Sequence, residues 1–222
     1  MSFSRIYDQA SARKGGEVAL RAMLPRVAEP GELASLGDDR YLSEITRCIF
    51  KAGFVWRVIE RKWPDFEAAF QGFVPLYWQQ VPPEVLEALA QDERIVRNMQ
   101  KIRTVPENAR LIVDTAREHG SFGQFLASWP SADQVGLLLW LKRNGARLGG
   151  NSAQYFLRRV GWDGFILSPD VVAGLQREEL LDATPGSKKA LVQAQQAFTR
   201  WHEETGLPYS HLSRILSYTV GD

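Results

Sequence analysis

The stretch that decides the fold lies at residues 137–160 and reads LLLWLKRNGARLGGNSAQYFLRRV. Apolar residues recur at helical spacing on both sides of a turn rich in glycine. This pattern predicts two helices joined by a short turn, a hairpin at 141–160. At the turn, Gly149 and Gly150 allow the backbone to approach a partner closely. The start of the second helix leaves amides that suit a phosphate oxygen.

The hairpin is basic although the whole chain is nearly neutral, with 27 Lys plus Arg against 26 Asp plus Glu. Residues 141–160 contain no acidic side chain, and residues 94–117 carry six basic against two acidic ones. Local charge of this kind favours a polyanion partner. The alternative is that the two glycines end a helix and the basic residues form a solvated face. The hairpin's basic residues are Lys142, Arg143, Arg147, Arg158 and Arg159.

The rest of the chain also indicates helices. Apolar spacing predicts one helix over 41–62, with Pro64 just past its end. It predicts another over 95–119, which Pro106 should kink or split. A further helix should begin at Ser168-Pro169-Asp170. Since β-branched alternation is rare, the sequence predicts an all-α fold of roughly ten helices.

Composition narrows the class of protein. The 222 residues are 45% hydrophobic, enough for a substantial core. The single cysteine excludes an internal disulfide and a multi-cysteine zinc site. No uncharged apolar run approaches about 18 residues, and the first residues lack the apolar core of a secretory signal. We therefore expect a cytoplasmic protein.

Several stretches resemble known DNA repair enzymes. The hairpin followed by QYFLRRVGWDGFILSPDVV, residues 154–172, resembles the helix-hairpin-helix DNA glycosylases. AGFVW at 52–56, WRVIERKWPDFEAAFQGFVP at 56–75 and RIVRNMQKIRTVPENAR at 94–110 resemble the DNA-3-methyladenine glycosylase I family. The resemblance implies the helix-hairpin-helix glycosylase fold. It also implies one glycosylase-like domain over 1–222, built either as one body or as two helical lobes with the active-site cleft between them.

The function implied by the resemblance is base-excision repair. A monomeric enzyme would flip an alkylated purine, such as 3-methyladenine, out of double-stranded DNA and hydrolyse its N-glycosidic bond. In the helix-hairpin-helix superfamily an aspartate at this distance from the hairpin supports cleavage, which indicates Asp170. Its carboxylate would stabilise the positive charge that develops on the sugar. The alternative is that Asp170 only supports a helix start. Because no lysine stands near Asp170 at the turn, strand cleavage is not expected.

The resemblance also assigns binding residues. Trp56 matches an aromatic that lines the base pocket, and Tyr7 matches a pocket tyrosine; for both, the alternative is an ordinary core aromatic. The hairpin would hold a DNA phosphate. Its assigned DNA-binding residues are Arg147, Leu148, Gly149, Gly150, Asn151 and Ser152.

The chain departs from this family at the base-recognition helix. Where the family carries a glutamate, four residues before its Ala-Gly pair, this chain has Cys48. The nearest carboxylate on the same helix face is Glu44, one turn earlier, so both are candidate substrate contacts. Cys48 is otherwise an inert buried thiol.

The family's zinc clamp is not expected, because the only soft ligands are Cys48, His119, His202 and His211. The resemblance allows a monovalent cation at the hairpin carbonyls and implies no other cofactor. Two other functions stay open: a module that binds DNA or damage without catalysis, and a helical protein-interaction domain.

Overall fold

A computed structural model describes residues 2–220, and within them every regular element is a helix. The all-α expectation is confirmed. There are more helices than the ten expected, because helices of four to seven residues are too short to show apolar periodicity. The α-helices are α1 Ser4–Arg13, α2 Glu17–Ala22, α3 Pro30–Ser35, α4 Asp38–Lys51, α5 Trp56–Ala69, α6 Pro75–Trp78, α7 Pro83–Leu89, α8 Met99–Ile102, α9 Thr104–His119, α10 Phe122–Ser128, α11 Gln134–Asn144, α12 Asn151–Arg159, α13 Pro169–Arg177, α14 Lys188–Thr205 and α15 Tyr209–Ser217. Short 3-10 helices cover Gln71–Phe73 and Ser131–Asp133.

The prediction of one helix over 41–62 is wrong. Helix α4 ends at Lys51, and α5 begins at Trp56 and runs through Pro64. The chain leaves the helix at Ala52 (ψ 119°), and Gly53 follows with φ +68°, a conformation that favours glycine. Apolar spacing continues across this break, so it hides the loop at 52–55.

Two other expectations about proline are confirmed. The 95–119 segment is split, because α8 and α9 are separate helices and Pro106 lies in the first turn of α9, where its missing N–H costs little. Helix α13 starts at Pro169, and the Ser168 hydroxyl accepts a hydrogen bond from the Val171 amide at 3.3 Å.

The chain forms two compact units. Of the described residues, unit 1 contains 2–28, 130–139 and 157–220, and unit 2 contains 29–129 and 140–156. The core of unit 1 includes the Phe165 and Phe198 rings, stacked at 5.0 Å, and Phe3 against Trp201 at 5.2 Å. Helices α1, α13, α14 and α15 surround this core.

Unit 2 is built around a row of near-parallel aromatic rings and one part-buried carboxylate. Trp63 and Phe66 stack at 4.9 Å. Glu67 accepts a two-point hydrogen bond from Arg40 at 3.0 Å for each contact, and further bonds from Trp63 and Ser43. Burial acts to raise the pKa of Glu67, but the bonds from Arg40 and Ser43 outweigh it and hold the pKa below its ordinary value. This carboxylate therefore ties α4 to α5.

Within residues 2–220, no helix is both long enough and apolar enough to cross a lipid bilayer.

Candidate nucleic-acid interface

The hairpin consists of α11, a turn at 145–150 and α12. Gly145 lies at a tight point: a Cβ there would stand 2.6 Å from Cδ1 of Leu148 and 3.0 Å from the Leu141 carbonyl oxygen. Leu148 is only 1% exposed as a whole residue, so it anchors the turn from inside. Gly150 is exposed, and a Cβ on it would meet nothing within 4 Å. The outer backbone of the turn is therefore open to an approaching partner.

Two amide side chains position this turn. Asn108, which is fully buried in α9, donates to the Ala146 carbonyl at 3.1 Å and accepts from the Ala146 amide at 2.9 Å. Gln100 of α8 accepts a bond from Arg147 at 2.9 Å. Arg147 itself has φ +56° and is exposed. The stretch 94–110, singled out in the sequence by its resemblance, thus supports the hairpin turn.

Trp56 stands at the start of α5 and faces α12. Its ring meets Tyr155 edge-on, with 4.9 Å between ring centroids and an interplanar angle of 88°. The Lys51 ammonium lies 5.2 Å from the centroid of the same ring. Trp56 is 46% exposed, so it is not the ordinary core aromatic of the alternative interpretation. Within unit 2 the structure therefore brings Trp56 next to the second helix of the hairpin.

The loop before Trp56 adds two residues that sequence reasoning missed. Phe54 and Val55 are 44% and 63% exposed. Together with Trp56 they form a run of three exposed apolar residues, and a contiguous apolar patch marks an interaction surface, whereas single exposed apolar side chains are ordinary. Two apolar residues directly after Gly53 could have indicated an exposed loop, but the helical spacing of apolar residues continues across 52–55 and concealed it.

The remaining candidates of unit 2 lie on α4. Cys48 is 3% exposed, and Glu44 pairs with Arg47 at 3.2 Å. Glu60 of α5 pairs with Lys51 and lies 3.7 Å from Arg47. The charges near Trp56 therefore form a network of two acids and two bases, and Glu44 is held within it.

The second basic segment, 94–117, is only partly a solvated face. Lys101 is 7% exposed, and it donates to the carbonyl oxygens of Phe50 at 3.0 Å and Ala52 at 2.6 Å. Burial, together with the charge of Arg147, lowers the pKa of Lys101. The interpretation of this lysine as a solvated charge is wrong. It caps the end of α4.

Asp170 and Tyr7 belong to unit 1. Asp170 is exposed in the first turn of α13, where Ser168 supplies the cap. At the other end of α13, the buried Glu178 pairs with Arg5 and Arg177. Asp170 thus lies on a helix that is fixed at both ends.

Tyr7 packs against the core of unit 1 and lines a cavity of about 790 Å³. Its hydroxyl lies 3.2 Å from a carboxylate oxygen of Glu17 and 3.3 Å from Nε of Arg21. The neighbouring wall carries His211, whose Nε2 lies 2.9 Å from the Pro25 carbonyl oxygen. Tyr7 is thus a part-buried aromatic with a ring accessible from a cavity.

The side chains do not fit a zinc clamp. Among residues 2–220, no three His, Cys, Asp or Glu side chains converge in the manner of metal ligands. His202 and His211 each have a ring nitrogen within 2.9 Å of a backbone carbonyl oxygen.

Comparisons with known proteins agree with this architecture. Residues 34–136 match the family model of methyladenine glycosylase, which confirms the resemblance over that segment. A crystal structure of 3-methyladenine DNA glycosylase I is similar with TM-score 0.51 and 22% identity, covering 65% of this chain and 87% of the other. A mutant form of the enzyme of the same name from Staphylococcus aureus gives TM-score 0.51 and 20% identity, covering 65% and 85%.

A third solved structure is similar along nearly the whole chain. It is the Methanocaldococcus jannaschii 8-oxoguanine glycosylase/lyase in complex with DNA containing 8-oxoguanine, with TM-score 0.59, 19% identity and 96% of each chain covered. At these identities the three structures establish the fold alone: this chain has the helical fold of the solved glycosylases.

Proposed function

Because residues 34–136 match the methyladenine glycosylase family, we propose that this protein is a DNA glycosylase. Its substrate is an alkylated purine of the 3-methyladenine type in double-stranded DNA, and it acts as a monomer. It flips the damaged nucleotide out of the duplex and hydrolyses the N-glycosidic bond without cleaving the strand.

The observation that carries this proposal is the half-exposed Trp56 ring beside α12. An exposed tryptophan next to a hairpin with an open glycine backbone combines a stacking surface for a flipped base with a binding surface for a phosphate. Alkylation at N3 or N7 makes a purine cationic, and a cationic ring is attracted to the face of an indole. Glu44 and Cys48 lie on α4, and the last residue of this helix, Lys51, contacts the Trp56 ring. In this proposal Glu44 and Cys48 shape the base pocket, and Tyr7 is a second aromatic contact of the base.

In this proposal the hairpin holds the DNA. The Gly149 and Gly150 backbone and the first amides of α12, at Asn151 and Ser152, hold one phosphate. Arg147 adds a positive charge at the same turn. The exposed Phe54 and Val55 enter the gap left by the flipped nucleotide, since apolar side chains replace lost base stacking.

Asp170 supplies the catalytic charge. Loss of the base builds positive charge on the deoxyribose, and a carboxylate about 4 Å away is worth ~4 kcal/mol at an effective dielectric constant of about 20. That corresponds to roughly a thousandfold in rate. Cationic bases leave readily, so no strong general acid is needed. The sequence has no lysine from residue 143 to residue 187, so none stands at the turn or near Asp170 to act as a Schiff-base nucleophile.

The test is base release from defined duplexes. Methylated DNA and a duplex with a single 8-oxoguanine are incubated with the wild type and with Asp170→Asn, and the released bases are identified by mass spectrometry. We expect alkylated purines from the wild type, roughly a thousandfold less from the variant, and an intact strand. Release of 8-oxoguanine alone would overturn the proposed substrate class, and a nicked strand would overturn the monofunctional mechanism.

The second candidate is a DNA- or damage-binding module without catalysis, and the buried Cys48 favours it. A buried thiol offers no charge to a base edge. Salt-sensitive duplex binding combined with no base release from either duplex would establish this module. Absence of salt-sensitive binding would contradict both candidates, because several phosphate contacts make affinity fall steeply with salt.

A further inference from the structure

Helix α8 lies between the two elements of unit 2 that the proposed function uses. On one side Lys101 contacts the end of α4, just before the loop at 52–55. On the other side the neighbouring Gln100 accepts a bond from Arg147 in the hairpin turn. One short helix therefore touches both the support of Trp56 and the turn that would hold DNA.

Lys101 meets the end of α4 as a cation. The last carbonyl groups of a helix lack partners within the helix and carry partial negative charge. The Lys101 ammonium takes the carbonyls of Phe50 and Ala52, and it lies 5.8 Å from the Phe50 ring centroid. Because the group is 7% exposed, water replaces these contacts poorly.

These contacts fall where the backbone changes direction. Ala52 leaves the helical conformation and Gly53 turns back with positive φ, so the carbonyl of Ala52 sets the path of the loop that ends at Trp56. The amides at the start of this loop bond back to α4: the Ala52 amide to the Cys48 carbonyl at 3.2 Å, and the Phe54 amide to the Lys51 carbonyl at 3.0 Å. The Ala52 carbonyl instead takes its donor from Lys101, outside the loop.

We propose that Lys101 is a positioning residue, a buried cationic cap that fixes the loop at 52–55 and thereby holds Trp56 in place beside the hairpin. The proposal rests on the proposed function for the role of Trp56. Whether Lys101 fixes the loop at 52–55 can be tested without measuring base release.

The first test compares backbone amide hydrogen exchange in the full-length wild type with that in three variants, Lys101→Met, Lys101→Gln and Lys101→Arg. We expect the Ala52 and Phe54 amides to exchange roughly ten- to a hundredfold faster in Lys101→Met, the range for loss of charged hydrogen bonds. Lys101→Gln removes the charge and shortens the side chain by one bond while keeping a polar amide, so it should show the same acceleration and serves as the test if Lys101→Met does not fold. Lys101→Arg restores the cation and should recover protection.

The matched control is Lys62→Met. Lys62 also donates to two carbonyl oxygens, those of Glu93 and Arg94, but it is only half-buried and these hydrogen bonds are open to solvent. Exchange of the Ala52 and Phe54 amides should be unchanged in this variant. Equal acceleration in both lysine variants, or unchanged exchange in Lys101→Met, would overturn the proposal.

The second test is a double-mutant cycle on base release with Trp56→Ala. If Lys101 acts through Trp56, Lys101→Met slows single-turnover release in the wild type but has no further effect in the Trp56→Ala background. Equal effects in both backgrounds would show a general structural role and overturn the proposal. A wild type that releases no base would refute the proposed function, while the exchange experiment would still decide the role of Lys101.

Discussion

The contact between Asn108 and Ala146 gives the most decisive prediction about the hairpin. Asn108→Ala removes two hydrogen bonds, of 2.9 and 3.1 Å, from a fully buried side chain to one peptide unit of the turn. No other residue type presents a donor and an acceptor in this geometry at the same length, so the amide is specific to the task.

These contacts set the expected loss in the free energy of unfolding. Each bond contributes about 1 kcal/mol net, and the stranded amide and carbonyl of Ala146 add part of their desolvation penalty, partial because Ala146 is half-buried. The sum is about 2–3 kcal/mol, a large share of a stability of about 5–15 kcal/mol. Because the turn loosens, we also expect duplex affinity to fall several-fold.

The assay is urea unfolding of the whole chain, with Asn144→Ala as the matched control. Asn144 makes one bond, to the Trp140 carbonyl at 2.8 Å, from an exposed position in the last turn of α11, and its loss should cost less than about 0.5 kcal/mol. A loss below about 1 kcal/mol for Asn108→Ala, or one equal to that of the control, would refute the claim that this amide holds the turn.

Three further predictions concern the glycines of the hairpin turn, the loss of stability at low pH and the Trp56 ring. Gly145→Ala should cost about 1–3 kcal/mol in urea unfolding because its Cβ would overlap Leu148, whereas Gly150→Ala should leave stability unchanged and weaken duplex binding in fluorescence anisotropy several-fold; equal stability of the two variants would contradict this. Since the pKa of Glu67 is lower in the folded state, stability should be lost as pH falls from about 4.3 through the folded pKa. In Glu67→Gln the free energy of unfolding should fall less steeply with decreasing pH in this range. An unaltered slope would show that the Glu67 carboxylate does not contribute to the loss of stability in acid. Trp56→Ala should slow base release roughly ten- to a hundredfold, the range for loss of one stacked base, at little cost in thermal stability; an unchanged rate would remove Trp56 from the pocket.

The sequence predicts the elements whose signals are local. Ser168-Pro169 gives the start of α13, as predicted, and Gly206, in the left-handed conformation, ends α14. Two apolar patterns separated by glycines are enough to predict two helices around residues 145–150. These features depend on backbone conformation and capping, which neighbouring residues decide.

Other features depend on contacts between distant segments. The break at Ala52 is invisible because apolar spacing continues across it, and its carbonyl partner, Lys101, lies 49 positions away. In the sequence Lys101 looks like one more charge in a basic segment. Asn108 carries no local signal of its two bonds to Ala146. Such roles follow from tertiary packing between distant segments, which neighbouring residues in the sequence do not reveal.

Release of 3-methyladenine from methylated duplex DNA under single-turnover conditions decides whether this protein is a DNA glycosylase. We predict a rate well above spontaneous depurination for the wild type and a roughly thousandfold lower rate for Asp170→Asn, with duplex affinity retained in both. A wild-type rate equal to the spontaneous one, on DNA that the protein demonstrably binds, would contradict the proposed glycosylase activity.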